Sequence, residues 1–496
     1  MEESTPLENL TEVIGTFNDD YFWLWLLIPL LTVVSLYITF RTGAVQFRML
    51  PEMFRVLRSK PEIAPDGKRA LSSLQAFMIS AAARLGTGNI IGVSIAISVG
   101  GPGAVFWMWV MAAVVCAASF VESTLAQLYK VRHSTGYRGG PAYYIEKGLG
   151  QRWMAVLFAV VLILTFPLVF NAVQSNTITG ALANSAEYFG AGTELGFSAI
   201  VGVGLVFLTG LVIFGGVRRI ANTAQALIPF FAALYVVVGL AVMVINWREV
   251  PGMFALIMES AFGIQEFAGA ALGVVVIQGV RRGMFSNEAG LGSAPNAAAT
   301  AAVTHPVKQG LVQTLGVYLD TIVICSVTAF IILLGAQGSL TGELEGDLTQ
   351  LALTSMLGPW ALHLMTLIIF LVAFTSVLGN YYYGESNLEY LSENKNVLFG
   401  YKVVFLVASF LGCLGEIALI WTLADTTMGM MALVNLVALV PLTAVACRLL
   451  GDYNEQRRQG IEPVFTRDRL PDLQGVECWG PEAPRAESAT AERGSS

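Results

Sequence analysis

Residues Gly86, Thr87, Gly88 and Asn89 interrupt an otherwise apolar stretch running from Ser80 to Ile97. Glycine inside a helix costs about 1 kcal/mol relative to alanine. At membrane depth, unpaired backbone groups cost several kcal/mol more unless they face protein, a water-filled cavity or a ligand. A half-helix beginning near Asn89 points free N–H groups and its positive end at an anion, while carbonyls released before it can hold a cation. An amino acid and a sodium ion satisfy both ends. The competing reading of the same glycines is a stripe for close helix packing. Arg84 directly precedes the break, and a charge at the bilayer centre costs at least about 2.5 kcal/mol. It is a candidate for holding a substrate carboxylate, or for an ion pair with Glu122, Glu266, Asp320 or Asp425. The hydroxyls of Thr375 and Ser376 suit sodium, whereas Asn171, Gln174, Asn176 and Asn380 suit hydrogen bonds between helices.

These residues need a membrane scaffold, and the composition supplies one. The 496 residues are 55% hydrophobic and 13% charged, with a mean hydropathy of +0.66, which excludes an ordinary soluble protein. Apolar runs near the roughly 20 residues that cross a bilayer as a helix predict spans at about 21–40, 71–99, 104–128, 153–178, 196–216, 222–246, 254–281, 307–335, 358–383, 397–414 and 418–447. The expected class is therefore an all-α polytopic membrane protein of about eleven transmembrane helices. The basic residues, including Arg281 and Arg282 after the seventh span, fall in alternate loops. Arg248 and Arg84 are the exceptions, so the N-terminus is expected outside and the C-terminus in the cytoplasm. The acidic stretch 1–20 has no basic region or small-residue cleavage site, so 21–40 is expected to persist as a helix. Segment 21–70 reads as an extra helix with a basic loop, 71–450 as the core, and 451–496 as a disordered tail rich in Pro, Glu, Arg and Ser. The loops 129–152 and 283–306 are assigned to the cytoplasmic face. Five cysteines and three histidines lack metal-ligand spacing. No GxxxxGK[ST], HExxH or GxSxG pattern occurs, so ATP-driven transport and common hydrolase chemistry are unsupported and no enzyme is expected.

The seventh span contains Gly263, Gly269 and Gly273 and runs into a glycine-rich block, so it is expected to hold a second break. It lies five spans after the first. Because five is odd, the halves at about 71–250 and 251–450 would have opposite orientations, as in transporters with inverted repeats and paired discontinuous helices.

Four blocks then resemble a known family: Gly86-Thr-Gly-Asn-Ile-Ile-Gly-Val93, Gly100-Gly-Pro-Gly-Ala-Val-Phe-Trp-Met-Trp109, Phe285-Ser-Asn-Glu-Ala-Gly-Leu-Gly-Ser-Ala-Pro295 and His305-Pro-Val-Lys-Gln-Gly-Leu-Val-Gln313. They resemble the alanine or glycine:cation symporters of prokaryotes over roughly residues 15–450. The resemblance implies a leucine-transporter-type five-plus-five inverted repeat preceded by one extra helix, in the inner membrane. It also implies sodium-coupled import of alanine, glycine or another small neutral amino acid by alternating access, with no cofactor beyond the coupling ion and no nucleic-acid or obligate protein partner. By likeness, Thr87 and Gly88 offer N–H groups to the substrate carboxylate, with Asn89 near one sodium position. A second sodium is held by the carbonyls of Ala82 and Leu85 with Thr375 and Ser376. Gln174, Gly269 and Gly273 line the amino-acid pocket. Asn380 stands where some members carry a tryptophan that narrows the pocket, which leaves room for glutamine. Arg84 occupies a place from which one sodium would take a carbonyl, which favours a single sodium per cycle. Proton coupling through Glu122, Asp320 or Asp425, a glutamine-preferring carrier, and an amino-acid sensor or channel remain as alternatives.

Overall fold

Backbone N–H and C=O groups inside a bilayer must be paired within the protein, and this chain pairs them almost wholly in helices. A computed structural model describes residues 6–58, 70–134, 136–190, 195–263, 272–335 and 348–480. Helix α1, Asn9–Thr42, starts earlier than the apolar run alone predicts. The first core span is two helices, α2 (Ser73–Arg84) and α3 (Ile91–Gly100), bent by 62° across the break. Next come α4 (Ala104–Leu128), α5 (Arg152–Tyr188), α6 (Gly196–Ile213) and α7 (Gly216–Ile245).

The expected seventh span at 254–281 does not exist as one helix. The chain forms a short helix, α8 (Val250–Ala261), and then a separate one, α9 (Leu272–Asn287). Residues 264–271, including Gly269 and Glu266, lie outside the described residues. Hydropathy ran the two segments together because both are apolar, while the division rests on contacts. Ser260 Oγ accepts from Gly103 N and the Ala261 carbonyl accepts from Trp107 Nε1, which holds α8 against the start of α4. The second break therefore falls after Asn287. It is followed by the short helix α10 (Ala294–Ala298) and then α11 (Pro306–Gly335), α12 (Leu348–Leu357), α13 (Trp360–Leu391), α14 (Lys395–Leu414) and α15 (Ala418–Arg458). Among the described residues nine helices are long and apolar enough to span a membrane, and the bent α2–α3 pair makes ten. The interrupted α9–α10 pair takes the seventh position in the expected order.

Two faces can be named by their residues. At one, Asp19 of α1 and Asp425 of α15 meet Arg281 and Arg282 of α9. Both arginines thus sit with the start of α1, and their expected place among the basic loops of the opposite face is corrected. They had seemed to follow the seventh span because α8 was counted as part of it. At the other face, the paired strands β1 (Val131–His133) and β2 (Gly136–Arg138) follow Lys130, which the tail covers. The expected disordered tail is also corrected. Residues 451–458 complete α15, and 459–480 pack back onto the protein. Phe465 N donates to Thr304 O at 2.8 Å, and the buried Trp479 indole donates to Gln127 O at 3.1 Å while lying over Lys130. Polar composition misled here because a few aromatic anchors, Phe465 and Trp479, are enough to seat a segment on a folded surface. Residues 481–496 lie outside the described residues.

Candidate substrate and ion site

The site begins with how α2 ends. Ser72 and Gln75 form a reciprocal capping box at its start, and α2 runs to Arg84 before Gly86 takes an extended conformation. The last turn of α2 is left with carbonyls that have no partner further along the helix. One is taken from outside: Ser376 Oγ of α13 donates to Ala82 O at 2.8 Å. Ser376 also approaches the break itself, since a Cβ on Gly86 would lie 2.6 Å from its hydroxyl. Thr375 is fully buried beside it and donates to Val372 O at 2.9 Å within its own helix. Ala82 and Ser376 are thus brought together, and Leu85 is buried at the C-cap of α2.

Gln174 of α5 reaches the same break. Its Oε1 accepts from Thr87 N at 3.1 Å, so the N–H expected to meet a substrate carboxylate is capped by protein in this structure. The side chains of the break are otherwise unengaged: Thr87 Oγ1 and both polar atoms of Asn89 are buried without a hydrogen-bond partner among the described residues. Asn380 Nδ2 is in the same condition, one helical turn beyond Ser376 on the same side of α13. Buried polar groups are ordinarily paired, so this concentration marks a place built for a ligand or water.

Arg84 is directed elsewhere. Its guanidinium lies against α11, donating to Gln313 O and to Ser80 Oγ, each at 3.2 Å, with Nε 3.2 Å from Asp320 Oδ2. Both partners of this ion pair are fully buried. Of the acids considered for it that lie among the described residues, Glu122, Asp320 and Asp425, it meets Asp320, and it is not gathered with Thr87, Gln174 and Asn89. Gly273 is also excluded from the site. It is exposed in the first turn of α9, fourteen residues before Asn287, or about 21 Å along a helix.

The second break faces the first. Glu288 adopts φ 55°, and Gly290 and Gly292 have φ 81° and 80°, a backbone that unwinds the helix. Glu122 of α4 accepts from Gly290 N at 3.3 Å and from Asn435 Nδ2 at 2.9 Å, while Asn435 also donates to Gly290 O at 2.9 Å. The two breaks touch through an aromatic ring: a Cβ on Gly88 would stand 2.4 Å from Phe285, so only glycine fits there. Phe285 is stacked on Phe170, centroids 4.5 Å apart, and tilted against Trp421 at 4.9 Å. These three rings separate the break from the Asp19 face. Sequence reasoning missed Phe170 and Trp421, and Phe285 was quoted only inside a motif. An aromatic residue in an apolar helix carries no signal of which neighbour it stacks on.

A family model, the sodium:alanine symporter family, matches residues 7–467. The chain belongs to that family. Among its relatives, the probable sodium/glutamine symporter GlnT of Bacillus subtilis is 49% identical over 470 residues, covering 95% of this chain and 96% of that protein. The amino-acid carrier protein AlsT of the same organism is 47% identical, covering 97% and 100%. Among solved structures, MhsT in complex with L-phenylalanine superposes with a TM-score of 0.56 at 12% identity, covering 77% of this chain and 98% of that one. At that identity the likeness concerns the fold, which is the leucine-transporter type. Membership makes the chain a multi-pass membrane transporter of the family that the resemblance in its four blocks implied. Asn171 and Asn176 act in this family member as interhelical ties to α14. Asn171 bonds Ser409 at 2.9 Å and Asn176 bonds Gly415 O at 2.7 Å.

Proposed function

We propose that this protein imports a small neutral amino acid together with sodium, by alternating access around the two apposed helix breaks. The observation that carries the reading is the buried set at the first break, where Thr87 Oγ1, the Asn89 side chain and Asn380 Nδ2 have no protein partner among the described residues. Thr87, Gly88 and Asn89 present backbone and side-chain groups to the amino acid, and Gln174 releases the Thr87 N–H to the substrate carboxylate when substrate arrives. Sodium is held by the carbonyls of Ala82 and Leu85 with the hydroxyls of Thr375 and Ser376, all oxygen donors of the kind a hard cation prefers. The adjacency of Ser376 and Ala82 supports this assignment. Arg84 is left out of it: its pair with Asp320 fixes α2 to α11. The Asp19 face is outside and the Trp479 face inside, in a prokaryotic inner membrane.

Alanine and glycine fit the family, and Asn380 in the pocket together with 49% identity to a probable sodium/glutamine symporter extends the range to glutamine. The deciding experiment is uptake of labelled L-alanine into proteoliposomes, with an inward sodium gradient or with potassium in its place, against glycine, D-alanine and L-glutamine as competitors. Accumulation only with sodium supports the proposal, whereas equilibration without accumulation refutes it. A second reading, proton coupling, draws on one observation: Glu288 is buried at the second break, where it accepts from Ser293 Oγ at 2.6 Å. Uptake indifferent to sodium and steep in pH would select that reading.

A further inference from the structure

The carbonyl of Asn89 is where the first break is tied to helices that sequence reasoning never connected with it. Asn89 N donates to Gly86 O at 3.1 Å within the tight turn Thr87–Asn89, and α3 takes up its own ladder one residue later, with Ser94 N on Ile90 O at 3.1 Å. The Asn89 carbonyl turns to α11 instead, where Thr328 Oγ1 donates to it at 2.6 Å. Thr328 Oγ1 also lies 3.2 Å from Ile324 O, four residues back, the bond a threonine ordinarily makes inside its own helix. The shorter contact goes to the break. Tyr235 of α7 completes the chain: its hydroxyl is 2.7 Å from Thr328 Oγ1, and because the Thr328 proton is engaged by carbonyls, Tyr235 is the donor. A hydroxyl that accepts a hydrogen bond gives a stronger one in turn.

Small size brings these partners together. Tyr235 and Gly239 share a face of α7, and a Cβ on Gly239 would stand 2.5 Å from a methyl of Val327, the neighbour of Thr328. The missing side chain lets α7 and α11 close up, so the tyrosine hydroxyl reaches Thr328. Tyr235 and Thr328 are both buried. Little else holds Asn89 on this side. Both polar atoms of its side chain lack a hydrogen-bond partner among the described residues, and a cavity of about 10 Å³, room for a single water, borders it together with Leu85, Tyr235, Ile324 and Val372. With packing that loose, the bond to the carbonyl sets the peptide plane, and the peptide plane sets where the side chain points.

We propose that Thr328 and Tyr235 are positioning residues of the substrate and ion site, a relay from α7 through α11 that fixes the Asn89 carbonyl and so aims the Asn89 side chain. The inference deepens the transport reading above and rests on it. Both residues act through Asn89 and not by contact with the amino acid.

The test is equilibrium binding of labelled L-alanine to the purified full-length protein, titrated with alanine and with sodium, with the thermal midpoint measured alongside. Thr328→Val keeps the shape and removes the donor. It is expected to raise both half-saturating concentrations by about tenfold, the scale of one buried hydrogen bond left unmade. Thr328→Ser keeps the hydroxyl and should bind within about twofold of wild type. Tyr235→Phe leaves the Thr328 bond without its reinforcement and should move both concentrations the same way by about threefold. A tie that merely holds helices together gives a different pattern: Thr328→Val with a lowered thermal midpoint and unchanged half-saturation. That result overturns the proposal and leaves the transport reading intact. So does a Thr328→Ser variant that binds as weakly as Thr328→Val. If Thr328→Val does not fold, Tyr235→Phe decides, and unchanged half-saturation in that variant overturns the proposal. A wild type that binds neither L-alanine nor L-glutamine in sodium overturns the transport reading itself.

Discussion

The Arg84–Asp320 pair offers the sharpest test of how the first break is supported. Nε and Oδ2 are 3.2 Å apart with both side chains fully buried, and the guanidinium crosses α11 so closely that a Cβ on Gly316 would lie 2.1 Å from Nη2. Removing one member of a buried pair leaves the other charge uncompensated, at a cost of about 3–5 kcal/mol, whereas replacing both by apolar groups is often neutral. Arg84→Met and Asp320→Leu are therefore each expected to lower the thermal midpoint of the detergent-purified protein by many degrees and to reduce the yield of folded material. The double variant should recover most of both losses. Its sodium-driven uptake per folded molecule should stay within about tenfold of wild type, the effect of a residual error near 1.4 kcal/mol. The measurements are a thermal-shift series on all four proteins and initial uptake rates normalised to the monodisperse fraction. An Arg84 that binds the substrate carboxylate predicts the opposite pattern: a stable single variant that binds no alanine and a double variant no better. That result would refute the structural assignment.

Gly88→Ala should drive a methyl group into Phe285, which Phe170 and Trp421 hold from either side. Overpacking of about 1–3 kcal/mol translates into a fall of roughly 5- to 150-fold in uptake kcat/KM, and unchanged kinetics would mean the ring is free to move. Ser376→Ala removes the hydroxyl beside Ala82 O and is expected to raise the sodium concentration for half-maximal uptake several-fold, with little change in expression; an unaltered sodium dependence would place the ion elsewhere. Trp479→Ala should release the 459–480 segment from Gln127 and Lys130, seen as new protease cleavage after Arg458, while a tail as resistant as wild type would count against its anchoring. The same segment should respond to acid. Burial raises the Glu462 carboxyl, but hydrogen bonds from Arg55 and Lys308 outweigh it and hold the group below its ordinary value of 4.5. A carboxyl lowered in the folded state gives stability that is complete above that ordinary value and lost as pH falls through the lowered one. Protection of the tail should therefore be constant from neutral pH down to about 5 and decline only below it. Loss beginning near pH 6.5 would point to a histidine instead.

Much of this architecture is legible in the chain itself. Apolar length fixes the class of the spans, because a helix must cross a fixed thickness of hydrocarbon, while the expected count of about eleven becomes nine or ten among the described residues. The glycines around Thr87 and Asn89 point to the first break or to a stripe for close helix packing, and the 62° bend there decides for the break. The odd count between interrupted spans suggested the inverted repeat, and the four blocks identified the family. The structure alone decided which polar groups meet. Hydropathy could not divide 254–281 into α8 and α9, so it put Arg281 and Arg282 on the wrong face and the second break too early. Arg84 beside Asp320, Gln174 on Thr87 N–H, Glu122 beneath Gly290 and Trp421 against Phe285 join residues between 87 and 236 positions apart. Local sequence sets helix ends and apolar faces because those follow from neighbours along the chain. Pairings across the bundle depend on how whole helices tilt and pack, which no stretch of sequence carries on its own.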